Sequence, residues 1–118
     1  IYFYPKDNTP GCTAQACNLR DNIAGLTAKN IAVLGVSADS ESSHVKFTDK
    51  YELNFPLLVD TDRTIIEAFG VWGPKKFMGK TYDGINRTTF IIDENGTIQE
   101  VISKVDTKNH TQQILDLL

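Results

Sequence analysis

The chain has 118 residues, of which 41% are hydrophobic and 23% are charged, and its formal net charge at pH 7 is −3. This length suits one domain, residues 1–118, with enough chain to bury a core without disulfide staples. The acidic balance argues against a nucleic-acid partner, which needs a basic surface. No apolar run reaches the ~18–20 residues of a membrane-spanning helix, so no membrane partner is predicted. The two cysteines are too few for a disulfide scaffold, so each either fills core space or does chemistry.

The first third of the chain predicts a strand, a loop, a helix and a second strand. Residues 1–4 are aromatic or β-branched, which is typical of a strand. An apolar strand at the very start is poorly solvated, so we expect an upstream segment that this sequence lacks. A loop rich in turn formers covers 5–11, and apolar residues at helical spacing predict a helix over 13–29. The apolar run at 31–36 suits a strand that is covered on both faces.

The middle of the chain continues the alternation of helices and strands. Ser40 is a suitable N-cap for a helix that ends near Tyr51. Residues 55–59 predict another short strand. A further helix over 64–69 is expected to end at Gly70.

The last third predicts a long loop followed by two strands and a helix. Residues 71–86 are rich in Gly and Lys and are not periodic, so they are predicted as a functional or mobile loop. A strand at 87–92, a turn at 93–96 and a returning strand at 97–103 follow, before a closing helix at 109–118. Alternating β and α elements followed by a hairpin predict an α/β fold, with helices on the faces of a mixed sheet.

The cysteines lie where a reactive thiol is expected. Cys12 follows the turn-rich loop and stands at the start of the first predicted helix. Free N–H groups and positive potential at a helix N-terminus stabilise a thiolate, which is the nucleophilic form. Thr9 offers a hydroxyl that can hydrogen-bond a thiolate or a bound oxygen. The alternative is that both cysteines are small core residues, which fits Cys12 less well because Gly11 places it at an exposed helix start.

The spacing of the two cysteines constrains how they can react. In an intact α-helix, the Cα atoms of Cys12 and Cys17 would be ~8–9 Å apart and on different faces. A disulfide tolerates no more than ~7 Å, so a bond between them requires the first turns to unwind. A zinc site is disfavoured because the chain has no CxxC pair and only two histidines. We expect both, His44 and His110, on solvated helix faces, so a Cys/His hydrolase is weakly supported.

At this point the sequence resembles a known family. Pro5, Thr9 and Cys12 have the spacing of the peroxiredoxin active site. The longer string from Tyr2 to Cys17 is similar to the peroxiredoxin Q / bacterioferritin comigratory protein subgroup. The similarity continues, in the expected order, through residues 69–73, 77–85 and 87–93. It implies a thioredoxin-like fold whose N-terminal β-hairpin is missing from this sequence, and a thiol peroxidase of antioxidant defence that uses no cofactor or metal.

The resemblance also implies a role for five residues. Cys12 would be the peroxidatic cysteine, which attacks the peroxide to give a sulfenic acid. Cys17 would resolve it to an intramolecular disulfide that thioredoxin or a similar dithiol reduces. Thr9 would hydrogen-bond the peroxide or the thiolate, and Pro5 would shape the pocket and shield the sulfenic acid from water. Arg87 would stabilise the thiolate and the transition state.

One position departs from the family pattern. Gln15 stands where the family often has Glu, which keeps hydrogen-bonding capacity but leaves an acidic role there in doubt. An intramolecular resolving cysteine permits a monomer, because turnover needs no second chain. A cysteine pair that must cycle favours a reducing compartment, the cytoplasm or a plastid stroma.

Two other functions are weighed against the peroxidase. A thioredoxin-like disulfide reductase usually has Cys-x-x-Cys, which this chain lacks. A non-enzymatic thioredoxin-fold binding domain would leave the cysteines incidental, with Phe77 and Tyr82 in the predicted 71–86 loop as a contact surface. We expect this loop instead to frame the active site or the docking face for the reductase.

Overall fold

The computed structural model describes residues 1–118, apart from the side chain of Phe77, so a contact role for that side chain lies outside the described part. The elements in chain order are β1 (Tyr2–Phe3), α1 (Pro10–Asp21), α2 (Ile23–Ala28), β2 (Gly35–Ser37), α3 (Glu41–Tyr51), β3 (Leu57–Val59), α4 (Thr64–Ala68), β4 (Trp72–Phe77), β5 (Lys80–Ile85), β6 (Thr88–Ile92), β7 (Ile98–Ile102) and α5 (His110–Asp116). None of these helices combines the length and apolarity that crossing a bilayer requires.

The predicted mixed sheet is confirmed, with five strands in the order β3-β2-β1-β6-β7. Strands β1, β2 and β3 are parallel, whereas β6 and β7 run antiparallel to their neighbours. The central strand β1 is buried on both faces: Tyr2 packs into one apolar cluster and Phe3 into the other. Residues of α1, α2, α3 and α5 cover the Tyr2 face, while α4 and Ile85 of β5 cover the Phe3 face.

The predicted loop over 71–86 is wrong, because most of it forms an antiparallel hairpin of β4 and β5, from the pair Trp72–Ile85 to the pair Phe77–Lys80. The turn places Met78 and Gly79 at φ of 51° and 77°, so two successive left-handed residues close it. Such two-residue turns match the twist of the flanking strands. Gly73 and Pro74 are both unfavourable in strands, so they hide the strand pattern in the sequence. The two-stranded ribbon tolerates them because each of its strands is an edge strand.

The helix predicted over 13–29 is two helices, and the first begins earlier than expected. Pro10 occupies the first turn of α1, where a missing N–H costs nothing, and Thr9 is the N-cap residue. The break falls at Asn22, whose side chain donates a 2.7 Å hydrogen bond to the Asn18 carbonyl. Cys12 therefore lies in the first turn of α1.

Two predicted helix boundaries are confirmed by their local geometry. The Ser40 hydroxyl accepts a 3.2 Å hydrogen bond from the Ser43 amide and caps α3. Gly70 has a φ of 70° just after α4, the left-handed position that glycine adopts without strain. The strand expected at 31–36 starts only at Gly35, where pairing with β1 begins.

Candidate active site

The first turn of α1 carries the reactive thiol into a buried position. Cys12 is 2% exposed and belongs to the apolar cluster on the Tyr2 face of the sheet. The Thr9 carbonyl accepts the first helical hydrogen bond, 2.8 Å from the Thr13 amide. Amides of the turn between them have no helical acceptor, so their dipoles favour negative charge at this end of α1.

A guanidinium from a distant part of the chain contacts this thiol. Arg87 directly precedes β6, and its Nη2 donates to the Cys12 Sγ at 3.3 Å. Its Nη1 donates to the Gln15 Oε1 at 2.6 Å, one helical turn beyond the cysteine. The guanidinium is thereby fixed at two points beside the sulfur. This arrangement can stabilise a thiolate and negative charge that develops on an attacked oxygen.

The approach of the arginine depends on the residue before the cysteine. A Cβ added to Gly11 would lie 3.1 Å from Arg87 Nη2. That distance is shorter than an ordinary van der Waals contact, so any larger residue would push against a guanidinium that has little freedom to move. Glycine at this position therefore keeps the space that Arg87 occupies.

Gln15 is part of the site because it contacts Arg87. Its side chain is fully buried, and its Oε1 accepts a hydrogen bond from the Arg87 guanidinium. Because a guanidinium only donates hydrogen bonds, the amide oxygen rather than the amide nitrogen must face it. The Gln15 Nε2 and the Tyr2 hydroxyl are buried without a hydrogen-bond partner among the described atoms. Burial, and then the charge of Cys12, raise the pKa of Tyr2, so its phenol stays neutral.

The other predicted site residues lie in the loop between β1 and α1. The Thr9 hydroxyl donates a 2.8 Å hydrogen bond to the Lys6 carbonyl, so its proton points into the loop in this state. Pro5 lies half-buried at the start of the same loop. The structure therefore brings Arg87 onto Cys12 directly, and the roles of Thr9 and Pro5 toward a peroxide stay predictions.

Cys17 is on the same uninterrupted helix as Cys12, and both are free thiols. It is half-buried, whereas Cys12 is buried. Five residues of α-helix separate their Cα atoms by ~8–9 Å, beyond the reach of a disulfide. The structure thus corresponds to a reduced, fully helical state.

Lys75 is a second cation near the site, which the sequence did not indicate because its strand was predicted as a loop. Its Nζ donates a 2.8 Å hydrogen bond to the Ile85 carbonyl across the hairpin. Burial, and then the positive charge of Arg87, lower the pKa of Lys75, while the charge of Cys12 acts in the opposite direction. The hairpin therefore adds positive potential on the side of Arg87.

The expectation of two solvated histidines is wrong, because His44 is 4% exposed and His110 is fully buried. The His110 Nδ1 donates to the Gln113 Oε1 at 2.9 Å, and its Nε2 lies 2.8 Å from the Thr89 hydroxyl. Helical spacing holds a signal that could have found both: His44 precedes the buried Phe47 by three residues, and His110 precedes Ile114 by four. Polar side chains on a buried stripe need partners, and only the tertiary structure supplies these.

The sequence was compared with protein-family models and with known proteins. The model of the AhpC/TSA family matches residues 1–101. Over all 118 residues the chain is 54% identical to "Putative peroxiredoxin bcp" of Haemophilus influenzae and 51% identical to "Peroxiredoxin Bcp" of Escherichia coli, and it spans 76% of each. The chain belongs to the AhpC/TSA family, the peroxiredoxins.

The structural comparison agrees with this peroxiredoxin assignment. The bacterioferritin comigratory protein of Xanthomonas campestris, studied for its alkyl peroxide reduction activity, superimposes with a TM-score of 0.91 at 36% identity, covering 98% of this chain and 74% of that one. BcpB of Mycobacterium tuberculosis superimposes with a TM-score of 0.85 at 32% identity. The peroxiredoxin therefore has the predicted thioredoxin-like fold, and it is a thiol peroxidase.

Proposed function

We propose that this peroxiredoxin reduces hydrogen peroxide and alkyl hydroperoxides through Cys12, with Cys17 as the resolving cysteine and thioredoxin or a similar dithiol as reductant. The observation that carries the proposal is the 3.3 Å hydrogen bond from Arg87 Nη2 to the Cys12 Sγ at the start of α1. A buried thiol that faces a fixed cation and a helix N-terminus is set up to react as a thiolate.

In the first step the Cys12 thiolate attacks one oxygen of the peroxide and the O–O bond breaks. The sulfur forms an S–O bond and becomes a sulfenic acid, and the other oxygen leaves as water or an alcohol after it takes a proton. Negative charge develops on the leaving oxygen, and Arg87 is placed to stabilise it. Thr9 would hydrogen-bond the bound peroxide if its hydroxyl turned away from the Lys6 carbonyl, and Pro5 would limit access of water.

In the second step the Cys17 sulfur attacks the sulfenic sulfur, a disulfide forms and water leaves. Because both cysteines occupy one helix, this step requires the N-terminal turns of α1 to open. A dithiol then reduces the disulfide by thiol–disulfide exchange, and α1 reforms. Both cysteines belong to one chain, so a monomer is sufficient for turnover, and a reducing compartment such as the cytoplasm suits the cycle.

The deciding experiment is a thioredoxin-coupled peroxide assay on the wild type, Cys12→Ser and Cys17→Ser. We expect Cys12→Ser to lose peroxide consumption. Cys17→Ser should still form a sulfenic acid on Cys12, detectable by a dimedone adduct in mass spectrometry, but should turn over poorly with thioredoxin. Equal rates for wild type and Cys12→Ser would refute the proposal. A Cys17→Ser variant with wild-type turnover would refute the resolving role alone.

A further inference from the structure

A buried polar cluster lies beside the active-site loop and takes no part in the peroxide chemistry above. At its centre the Asp7 carboxylate accepts hydrogen bonds from the Tyr4 hydroxyl at 2.6 Å, from His44 Nδ1 at 2.7 Å and from the Ser43 hydroxyl at 2.8 Å. Asp7 is 7% exposed and His44 is 4% exposed. Charges buried to this degree persist only when they are paired and fully hydrogen-bonded.

The hydrogen bonds define the protonation state of the pair. The His44 Nε2 lies 2.9 Å from the Leu58 carbonyl, which can only accept. The His44 Nδ1 faces a carboxylate oxygen that already accepts from Ser43. Donation from both ring nitrogens satisfies both acceptors, and this corresponds to His44 as an imidazolium with Asp7 as its carboxylate partner.

The electrostatic surroundings agree with this assignment. Burial lowers the pKa of His44, but the hydrogen bonds to Asp7 and Leu58 and the charges of Asp7 and Asp39 outweigh it and raise the pKa. Burial raises the pKa of Asp7, and the hydrogen bonds from His44, Tyr4 and Ser43 outweigh that and lower it. The titratable groups that face His44 are thus Tyr4 just after β1, Asp7 from the loop and Asp39 after β2.

The donor set does not suit a metal ion, although ligand-type atoms of Asp7, Asp39 and His44 lie within 4.8 Å of one another. The Asp39 Oδ2 accepts hydrogen bonds from the Ser37 hydroxyl at 2.6 Å and from the Asp7 amide at 2.8 Å. The Asp7 oxygens are occupied as described above. Protons of the protein already fill the positions where a cation would bind.

The cluster is attached to the segment that leads to Cys12. Asp7 and Asn8 are successive residues of that loop, and both are tied to α3, since the Asn8 Oδ1 accepts a 3.1 Å hydrogen bond from the Tyr51 hydroxyl. Asn8 adopts a left-handed φ of 59°, which such a contact helps to maintain. The next residue, Thr9, is the N-cap of α1. The position of Cys12 therefore depends on how firmly α3 holds this loop.

We propose that His44 is a positioning residue for the peroxide reaction: as the doubly protonated partner of Asp7, it fixes the loop that sets Cys12 against Arg87. It acts through Asp7 and touches no reacting atom. The same contact, with that of Asn8, leaves residues 7 and 8 anchored to α3 while α1 opens to form the disulfide. The inference rests on the proposed function of Cys12.

The first test compares the wild type with His44→Asn, whose amide nitrogen can still donate to Asp7 but carries no charge. The rate constant of Cys12 oxidation by hydrogen peroxide is measured for both by stopped flow across a pH series. Each rate constant is divided by the thiolate fraction of Cys12, which the pH dependence of iodoacetamide alkylation measures for each protein, before the ratio is taken. We expect the wild type to be faster while His44 is protonated, and the ratio to fall to one or below as His44 loses its proton.

The midpoint of that fall is checked independently by NMR titration of the His44 ring in the wild type. We expect it above the ordinary histidine value of 6.5 and equal to the midpoint of the rate ratio. A ratio that is flat with pH, or a ring that titrates at or below its ordinary value, would overturn the proposal. The titration needs no active Cys12, so it separates this proposal from the proposed function, which fails if wild-type Cys12 is not oxidised at all.

The second test removes the interaction with His44→Leu, alongside Lys46→Ala as a matched control at an exposed position of α3. We expect Cys12 oxidation to slow by about tenfold or more in His44→Leu, since small misplacements of reacting groups have effects of this size. His44→Asn should lie between it and the wild type, and Lys46→Ala should match the wild type. Wild-type oxidation in His44→Leu would refute the positioning role. If that variant does not fold, the Asn variant and the titration still decide.

Discussion

At the scale of single residues, the site depends on what surrounds the thiol as much as on the thiol itself. Arg87 is held between the Cys12 sulfur and the Gln15 amide, and the missing side chain of Gly11 leaves room for it. The amide of Gln15 orients the guanidinium without neutralising it. The positive charge therefore remains available to the sulfur and to the leaving oxygen.

The close approach of Arg87 to Gly11 predicts a loss of activity in Gly11→Ala. Alanine normally stabilises a helix relative to glycine by about 0.5–1 kcal/mol, but the contact with Arg87 opposes that gain here, so we expect no rise in the free energy of unfolding. The new Cβ would displace Arg87, so we expect the rate constant of Cys12 oxidation to fall by about tenfold. Urea unfolding and stopped-flow kinetics measure the two effects. Gly25→Ala in α2, where an added Cβ meets nothing within 4 Å, is the control and should leave the rate unchanged.

The family pattern often has Glu at the position of Gln15, and the contact of Gln15 with Arg87 predicts how Gln15→Glu would change the reactivity of Cys12. Gln15→Glu would add a buried negative charge beside Arg87, which competes with the Cys12 thiolate for the guanidinium. We expect slower alkylation of Cys12 by iodoacetamide at neutral pH, by about threefold to tenfold. Gln99→Glu, at an exposed position of β7, controls for the change in net charge. Unchanged alkylation in Gln15→Glu would contradict the electrostatic role of Gln15.

At the scale of elements, α1 has two incompatible tasks. It must be helical to place Cys12 against Arg87, yet the same helix keeps Cys17 too far away to form a disulfide. The helix has Gly11 in its first turn, and its N-cap side chain makes no capping hydrogen bond. These features weaken the first turn, which is the part that must open.

We therefore expect oxidation to raise amide hydrogen exchange in the first two turns of α1 by at least about tenfold. Exchange in α3 should not change, because its hydrogen bonds to residues 7 and 8 persist in both states. Hydrogen–deuterium exchange mass spectrometry on the reduced protein and on the protein oxidised with one equivalent of peroxide measures this. Equal protection of α1 in the two forms would show that the disulfide forms without the proposed unwinding.

At the scale of the whole molecule, the site joins segments that are far apart in sequence. Arg87 and Cys12 are 75 positions apart, and the strand pair β1–β6 brings them together. The two buried histidines act on the stability of the same molecule in opposite ways. Burial lowers the pKa of His110, whereas the hydrogen bonds to Asp7 and Leu58 raise that of His44 against the effect of burial.

These shifts predict a stability maximum in the neutral range. The unfolded chain binds a proton at His110 below pH 6.5 more readily than the folded one, so stability is lost as the pH falls toward the lowered pKa. The contribution of His44 is fully present below 6.5 and is lost as the pH rises through its raised pKa. Urea unfolding across a pH series measures both limbs. We expect His44→Asn to flatten the alkaline limb, and an unaltered alkaline limb in that variant would contradict the linkage.

Local pattern was sufficient to predict much of this molecule. The turn-rich loop before a helical pattern predicted that Cys12 lies at a helix N-terminus. Ser40 predicted the start of one helix and Gly70 the end of another. The spacing of the two cysteines excluded a disulfide within an intact helix. These inferences succeeded because they rest on interactions between residues close in the chain. The β4–β5 hairpin was missed because its turn uses Met78 and Gly79 rather than a strong turn dipeptide.

The sequence by itself determined the element order except for the β4–β5 hairpin and the break between α1 and α2, and it determined the thiol at a helix N-terminus and, through its resemblance to the peroxiredoxins, the family. Only the tertiary structure decided that Gln15 orients Arg87, that Lys75 adds positive potential near the site, and that Asp7 pairs with His44 in the interior. The physical reason is that burial and hydrogen bonding between distant segments determine charge state and orientation. Asp7 and His44 are 37 positions apart, and neither has a local pattern that reveals its partner.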